Sequence, residues 1–332
     1  MKIALDAFGS DNAPFPEIEG AVLSIKENIC QKIFLVGNKD ILVNGLAKYH
    51  YPKDRIEIIH AEEVITMEDD ASSSARKKLE SSMVKTLSLH KDGIADASLS
   101  VGNTGAVMAA SLFTLGRIKN IYRPAIAITL PTVIGHAVVL DAGANVDCEP
   151  EYLNQFAVIG NLYSKFLFKK ETPRVSLLNI GGESKKGNEL TKKAYNLLKE
   201  NPKINFVGNI EGKGLLAGLS DVVVCDGFSG NIMLKTVEGT TQAIFNMIKA
   251  QVKKNIFTKI GAIFISPVFK YLRKKLDDSE YGGALLVGLN GVSVVGHGSS
   301  NAIAIKNAVR FTCKIASSDL IQQFKDYFEE IK

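Results

Sequence analysis

The chain has few of the residues that staple or interrupt a fold. Its four cysteines, Cys30, Cys148, Cys225 and Cys313, are scattered over 332 residues, with no CxxC pair and no Cys/His grouping at zinc spacing. That excludes a disulfide scaffold and a zinc module, and fits a reduced, cytoplasmic setting. Proline is scarce, nine residues against 28 glycines, and no Ser/Gly/Pro-rich linker, repeat or low-complexity stretch breaks the chain. A single domain over 1–332 is the expectation. An excess of one charge is also missing: 40 basic against 35 acidic residues leave +5, too little for a general nucleic-acid coat, so no nucleic-acid partner is expected. Long hydrophobic runs are absent from the basic region, where the uncharged apolar stretch at 260–269 is about half of what a spanning helix needs. At the start, Asp6 arrives after three apolar residues and leaves no room for a signal-peptide apolar region. Neither export nor a membrane span is expected.

What is present is the balance of an ordinary globular protein, 46% hydrophobic and 23% charged. Short β-branched runs at 3–7, 33–37, 56–60, 97–101, 125–129, 137–141, 175–180, 204–207, 221–225, 284–287 and 292–295 read as strands. Amphipathic segments at 15–28, 72–90, 104–115, 151–168, 187–200, 230–252 and 300–327 read as helices. Their alternation predicts an α/β protein with a largely parallel sheet.

Polar, glycine-rich clusters fall where strands end and helices begin: Asp6-Ala-Phe-Gly-Ser-Asp11, Gly102-Asn-Thr-Gly105, Asp141-Ala-Gly-Ala-Asn-Val-Asp147, Asn179-Ile-Gly-Gly-Glu183 and Asp226-Gly-Phe-Ser-Gly-Asn231. In open α/β sheets ligands bind beyond the carboxyl ends of strands, so these clusters are expected to converge on one cleft. The same residues also serve as turn and cap formers in any βα connection. Asn103, Thr104 and Gly105 open an apolar helix whose free N–H groups and positive dipole end suit an anion. Ser229, Gly230 and Asn231 repeat that layout, with Lys235 one turn further on. Lys185 and Lys186 stand beside another helix start, where ammonium groups neutralise phosphate or simply face solvent. The acids Asp6, Asp11, Asp141, Asp147, Glu183 and Asp226 are of a type to hold Mg²⁺, yet carboxylates at sheet ends more often cap helices, and no metal site is expected. No Walker A lysine, GxGxxG fingerprint or GxSxG elbow is present, and no His or Cys sits in a nucleophile motif. ATP, a dinucleotide cofactor and a covalent acyl-enzyme are therefore unsupported, and no cofactor is expected.

Positive charge is concentrated at 249–275, where Lys249, Lys253, Lys254, Lys259, Lys270, Arg273, Lys274 and Lys275 occur without a single acid. Between them lie Ile263, Phe264 and Ile265, with Gly261 and Pro267 expected to let two helices meet at an apolar tip. A basic amphipathic hairpin at about 248–278 is the reading; it suits an anionic membrane surface or an acidic protein, or packs on the core or a dimer partner.

Taken in order, Leu5-Asp-Ala-Phe-Gly-Ser-Asp-Asn-Ala-Pro14, Met67-Glu-Asp-Asp70, Ala75-Arg-Lys-Lys78, Ser81-Ser-Met83, Gly102-Asn-Thr-Gly-Ala106, Arg123-Pro124, Leu140-Asp-Ala-Gly-Ala-Asn145, Leu177-Leu-Asn-Ile-Gly181, Lys186-Gly187 and Asp226-Gly-Phe-Ser-Gly-Asn231 resemble the PlsX family of phosphate:acyl-(acyl carrier protein) acyltransferases. The likeness covers nearly the whole chain. It departs at Gly9-Ser10, where the family has a glycine pair, at Asn12, where it has His, and around 71–73, where a proline is missing. The resemblance implies a dimeric three-layer α/β/α fold similar to isopropylmalate dehydrogenases and phosphotransacetylases, peripheral on the inner face of the cell membrane. It implies conversion of acyl carrier protein thioester and inorganic phosphate into acyl phosphate and free carrier protein, for phosphatidic acid synthesis. It further implies that Lys186 binds phosphate, that Asn231 bonds the reacting carbonyl, and that Asn103, Thr104, Gly105, Ser229 and Gly230 hold phosphate or the substrate arm. Membrane or partner contact falls to Ile263, Phe264, Ile265, Lys253, Lys254 and Lys259. Phosphate is itself the nucleophile, so the site must supply orientation and oxyanion donors rather than a nucleophile of its own. Two other readings stay open: a dehydrogenase of similar fold, which needs a dinucleotide fingerprint, and a non-catalytic lipid-surface adaptor, which has no use for the strand-end clusters.

Overall fold

The computed structural model describes residues 1–276 and 282–330, with the side chains of Arg273 and Lys274, and the end of the expected hairpin at 277–278, outside the described residues. The strands are β1 (Lys2–Asp6), β2 (Lys32–Gly37), β3 (Ile56–His60), β4 (Ala97–Ser100), β5 (Ala125–Thr132), β6 (Gly135–Leu140), β7 (Arg174–Leu178), β8 (Asn205–Ile210), β9 (Val222–Val224), β10 (Ala284–Val287) and β11 (Ser293–Val295). Among the described residues they form one sheet in the order β3-β2-β1-β4-β11-β10-β5-β6-β9-β7-β8. Most neighbours are parallel, but β11-β10, β10-β5 and β5-β6 are antiparallel. Three reversals leave β1 to β4, β11 and β5 running one way and β6 to β10 the other.

The helices are α1 (Phe15–Lys26), α2 (Lys39–Leu46), α3 (Ala71–Lys77), α4 (Ser82–Lys91), α5 (Thr104–Leu115), α6 (Pro150–Phe168), α7 (Glu189–Glu200), α8 (Gly212–Leu216), α9 (Gly227–Val252), α10 (Ile256–Phe264), α11 (Ser266–Leu276), α12 (Ala302–Ala316) and α13 (Leu320–Glu330). Strand alternation sorts the core into layers. Ile3, Leu5, Leu99, Val138, Leu140 and Val175 meet Ile18 and Val22 of α1, Phe156 of α6, Ile305 and Val309 of α12 and Phe324 of α13. On the opposite face Ile126 and Leu286 meet Val84 of α4 and Val107 of α5, and Val139 and Val223 meet Met233 and Leu234 of α9.

Two expected long helices are each broken, one by bonds to a segment distant in sequence and one by a local side-chain bond. Between α3 and α4 the backbone at 80–82 pairs with Glu63, whose N–H donates to the Glu80 carbonyl and whose carbonyl accepts from Ser82 N–H at 3.0 Å; Ser81 then caps α4. Between α12 and α13 the Ser318 hydroxyl donates to the Ile315 carbonyl at 2.6 Å, a local side-chain bond that competes with helix continuation. The basic segment also differs from a simple two-helix hairpin. α9 stops at Val252, and Asn255 caps a separate α10 by accepting from Thr258 N–H at 2.9 Å. The apolar run is thus itself a helix, turning into α11 at Ile265.

Glu17 lies in the first turn of α1 and is fully buried. Its Oε1 accepts from Ser10 N–H at 3.0 Å, whereas Oε2 has no partner among the described residues. Burial pushes its carboxyl up to about 7, against the opposing hydrogen bonds from Ser10 and with a small push from Asp6. An acid raised in the folded state contributes its full stability below its unfolded pKa, near 4.5, and loses it as pH rises through 7. Glu17→Gln keeps the acceptor and removes the titration, so urea unfolding at pH 5 and at pH 8.5 is expected to show the variant gaining on the wild type by about 3 kcal/mol at the higher pH. A difference independent of pH rejects the assignment.

Candidate active site

The opposed strand blocks decide where the site lies. Clusters after β1 and β4 leave one edge of the sheet, and those after β6, β7 and β9 leave the other, so they do not share a single carboxyl edge. A cleft of about 730 Å³ instead crosses the sheet face between the start of α5 and the first turns of α9. Thr104 and Gly105 line one end, Ala142, Gly143, Asn231 and Lys235 the other, and Ile126, Ile128 and Leu130 of β5 form the floor.

The end built on α9 is organised by Asp141. Its buried carboxylate accepts from the N–H groups of Ile126 (3.0 Å), Gly143 (3.2 Å), Ala144 (3.1 Å) and Asn145 (2.7 Å) and from the Asn145 amide (2.9 Å). Burial raises its pKa while these donors lower it. The loop so formed receives α9, because the Asn145 carbonyl accepts from Gly227 N–H at 2.7 Å. Asp226 caps the helix, taking Ser229 N–H at 2.8 Å and the Ser229 hydroxyl at 2.9 Å. Gly230 stands directly on the loop: a Cβ there would lie 1.9 Å from the Asp141 carbonyl oxygen. The next residue, Asn231, faces Gly143, and its side chain makes no hydrogen bond among the described residues, so its amide is available to the cleft. Lys235 pairs with Glu238 at 2.8 Å, and both line the cleft.

Several residues expected to touch ligand also make structural contacts. Asn103 caps α5 through Ala106 N–H (3.1 Å) and ties down the preceding loop by donating to the carbonyls of Met67 (3.2 Å) and Asp69 (3.3 Å). It presents Thr104 and Gly105 rather than joining them in the cleft. Ser229 is held by Asp226 and Gly230 by its contact with Asp141, so both position Asn231 and neither lines the cleft. Asp6 is buried, takes the Ser100 hydroxyl at 2.7 Å, and is raised by that burial against its hydrogen bonds. Lys186 is exposed on the turn after β7, at the sheet edge it shares with β9, and is not among the cleft-lining residues. Its backbone is fixed: Asn179 donates to the Lys186 carbonyl at 3.1 Å, and Gly187 follows at φ +100°, where an added Cβ would meet Thr191 Oγ1 at 2.1 Å.

One participant escapes the sequence reading. Val295-Gly-His-Gly-Ser-Ser-Asn301 follows β11 and opens α12, so it obeys the same strand-to-helix rule as the other clusters, and it puts His297 in the cleft. Ser299 N–H donates to His297 Nδ1 at 3.2 Å, which leaves Nε2 as the protonated nitrogen of the neutral ring. The signal was present, but Asn301 reads equally well as the cap of α12, which it is.

With this geometry in hand, the class of protein is defined by fold. A phosphotransacetylase from Streptococcus pyogenes superposes with TM-score 0.61 at 18% identity, covering 96% of this chain and 94% of that one. A 4-hydroxythreonine-4-phosphate dehydrogenase from Klebsiella pneumoniae does so with TM-score 0.55 at 12% identity, covering 96% and 98%. The chain therefore has the α/β fold shared by those enzymes. It belongs to the family described as fatty acid synthesis protein, whose profile matches residues 1–323. The phosphate acyltransferase of Alkaliphilus oremlandii is 48% identical over 98% of this chain and 97% of its own, and the protein is an acyltransferase of this phosphate-dependent type.

Gly230→Ala is expected to destabilise the protein by about 3 kcal/mol or more, since the clash is with backbone that cannot rotate away. Chemical unfolding at equilibrium measures it; a loss under 1 kcal/mol would mean that α9 can move off the Asp141 loop, by roughly the tolerance of a repacked core.

Proposed function

We propose that the protein transfers an acyl group from acyl carrier protein to inorganic phosphate. A hydrogen phosphate oxygen attacks the thioester carbonyl, the C–O bond forms as the C–S bond breaks, and the phosphate proton ends on the departing thiol, giving acyl phosphate and free carrier protein. The observation that carries this reading is the cleft itself, with the open N-terminus of α5 at Thr104 and Gly105 at one end and the unengaged amide of Asn231 at the other. Helix N–H groups and dipole favour the anion, and a neutral amide donor suits an oxyanion that exists only during reaction. Lys186 stands outside the cleft, on the opposite sheet edge from Thr104 and Gly105, and is assigned to neutralising phosphate by the family resemblance. The test is a phosphate-dependent acyl phosphate assay with acyl carrier protein as donor. Lys186→Ala and Asn231→Ala are each expected to lower kcat/KM on the order of 10²-fold, the usual loss for one transition-state donor; near-wild-type rates in folded variants remove them from the site.

The surface around α10 supports a peripheral membrane role. Ile263 and Phe264 are 70% and 79% exposed, and Lys253, Lys254 and Lys259 flank them in solvent. Among the described residues no helix is long and apolar enough to cross a membrane. An apolar helix with basic flanks is suited to lying in an anionic interface, each lysine contributing about 1 kcal/mol. The outward face of α9, with Phe228, Ile232, Ile244 and Met247 each at least half exposed, is the surface we assign to a second copy in a homodimer. Replacing Ile263, Phe264 and Ile265 together by serine is expected to release the protein from anionic liposomes while soluble acyl transfer continues. If the triple variant still sediments with liposomes but binds acyl carrier protein poorly, the basic segment is a protein-docking element instead.

A further inference from the structure

A second cavity, of about 1000 Å³, lies beneath α9 and the α10–α11 pair and opens into the cleft. The two spaces share Thr129, Leu130, Leu234, Lys235, Glu238, His297 and Ser299. Past this polar neck the character changes. Phe245, Ile248 and Val252 come from the inward face of α9, and Ala262 and Phe269 from the inner side of the helical pair; all are half-buried, unlike the exposed Ile263 and Phe264 on the outer side. Of the polar groups in the wall, the amides of Gln242 and Asn246 are bonded to each other at 3.3 Å, and Lys249 and Lys270 are exposed.

We propose that this groove holds the hydrocarbon chain of the acyl donor, with the thioester at the neck and the chain running under α9 toward α10. The inference rests on the acyl-transfer reading above and names what that reading leaves open, the site for the acyl chain. Three observations favour a donor chain over other apolar occupants. The groove is continuous with the reaction cleft, it joins that cleft beside Lys235 and His297 where a polar head belongs, and its size falls within the usual ligand range of roughly 300–1,000 Å³. Exclusion of water by an unbranched chain is the driving force, since it buries apolar wall and ligand together.

The experiment uses the full-length protein with butanoyl and hexadecanoyl thioesters of acyl carrier protein, together with fluorescence of cis-parinaric acid as a binding probe. Ala262→Trp fills the groove away from the neck, and Ser266→Phe does so more mildly should the first variant fold poorly. The expected result is a drop in kcat/KM on the order of 10-fold for the hexadecanoyl donor, with the butanoyl donor within about 2-fold of wild type. The probe should bind the wild type, be displaced by the hexadecanoyl donor, and be lost in the variants. Equal effects on both donors, or none on either, overturn the proposal. Displacement of the probe by phosphatidylglycerol vesicles but not by the hexadecanoyl donor gives the groove to membrane lipid, and exclusion of the probe from dimers alone gives it to the second copy; either overturns it too. If the wild type makes no acyl phosphate from any donor, the acyl-transfer reading fails, and the probe measurements still decide whether the groove takes a hydrocarbon chain.

Discussion

The site depends on one buried carboxylate. Asp141 follows β6 and takes five hydrogen bonds, from the start of β5 and from the loop at 143–145. Ionised, it is tolerable in the interior only because those donors surround it; uncoupled from it, each buried N–H would cost about 1–3 kcal/mol. The loop it shapes is the seat for α9, which reaches it through Gly227 N–H and through the missing side chain of Gly230. The position of Asn231 is thus a consequence of charge solvation two residues deeper in the protein.

The same economy runs through the other acids. Asp226 caps α9, Asp69 accepts from Thr66 and Lys78, and Asp6 holds the Ser100 hydroxyl behind the turn that leads to α5. These carboxylates are engaged in structure, while the groups facing the cleft include the Asn231 amide, the hydroxyls of Thr104, Thr129 and Ser299, the His297 imidazole, Lys235 with its partner Glu238, and the Asp11 carboxylate. Dipoles and neutral donors such as the Asn231 amide can accept developing charge without having to be desolvated first.

Helix α9 joins the parts of the molecule that the proposed reaction needs. Its first turn carries Asn231, its inward face walls the groove, its outward face is apolar and exposed, and it leads to the basic α10–α11 pair. A helix with apolar residues on both faces has to be covered twice. The inner covering lies within this chain, from β5 and the α10–α11 pair, and the outer face is the one assigned above to the proposed homodimer.

The strand set, the alternation with helices and the strand-end clusters were legible in the sequence because they are written in local terms: β-branched runs, period 3.6, and Gly, Asn and Asp at turns. Family resemblance singled out Lys186 and Asn231. Helix breaks were less legible, because they depend on nonlocal bonds such as Glu63 to the backbone at 80 and 82. Asn103, Ser229 and Gly230 show a related ambiguity: a residue type suited to ligand contact is equally suited to capping, and only the packing of α5 and α9 reveals the structural contacts these residues make. His297 sits in no nucleophile motif of the sequence and enters the cleft only through the packing of the β11–α12 loop. Above all, the sequence by itself determined which strands form, whereas the tertiary structure decided their direction. Three antiparallel steps, set by pairing between segments as distant as β5 and β10, turn half of the sheet around and move the site from a strand edge to the sheet face.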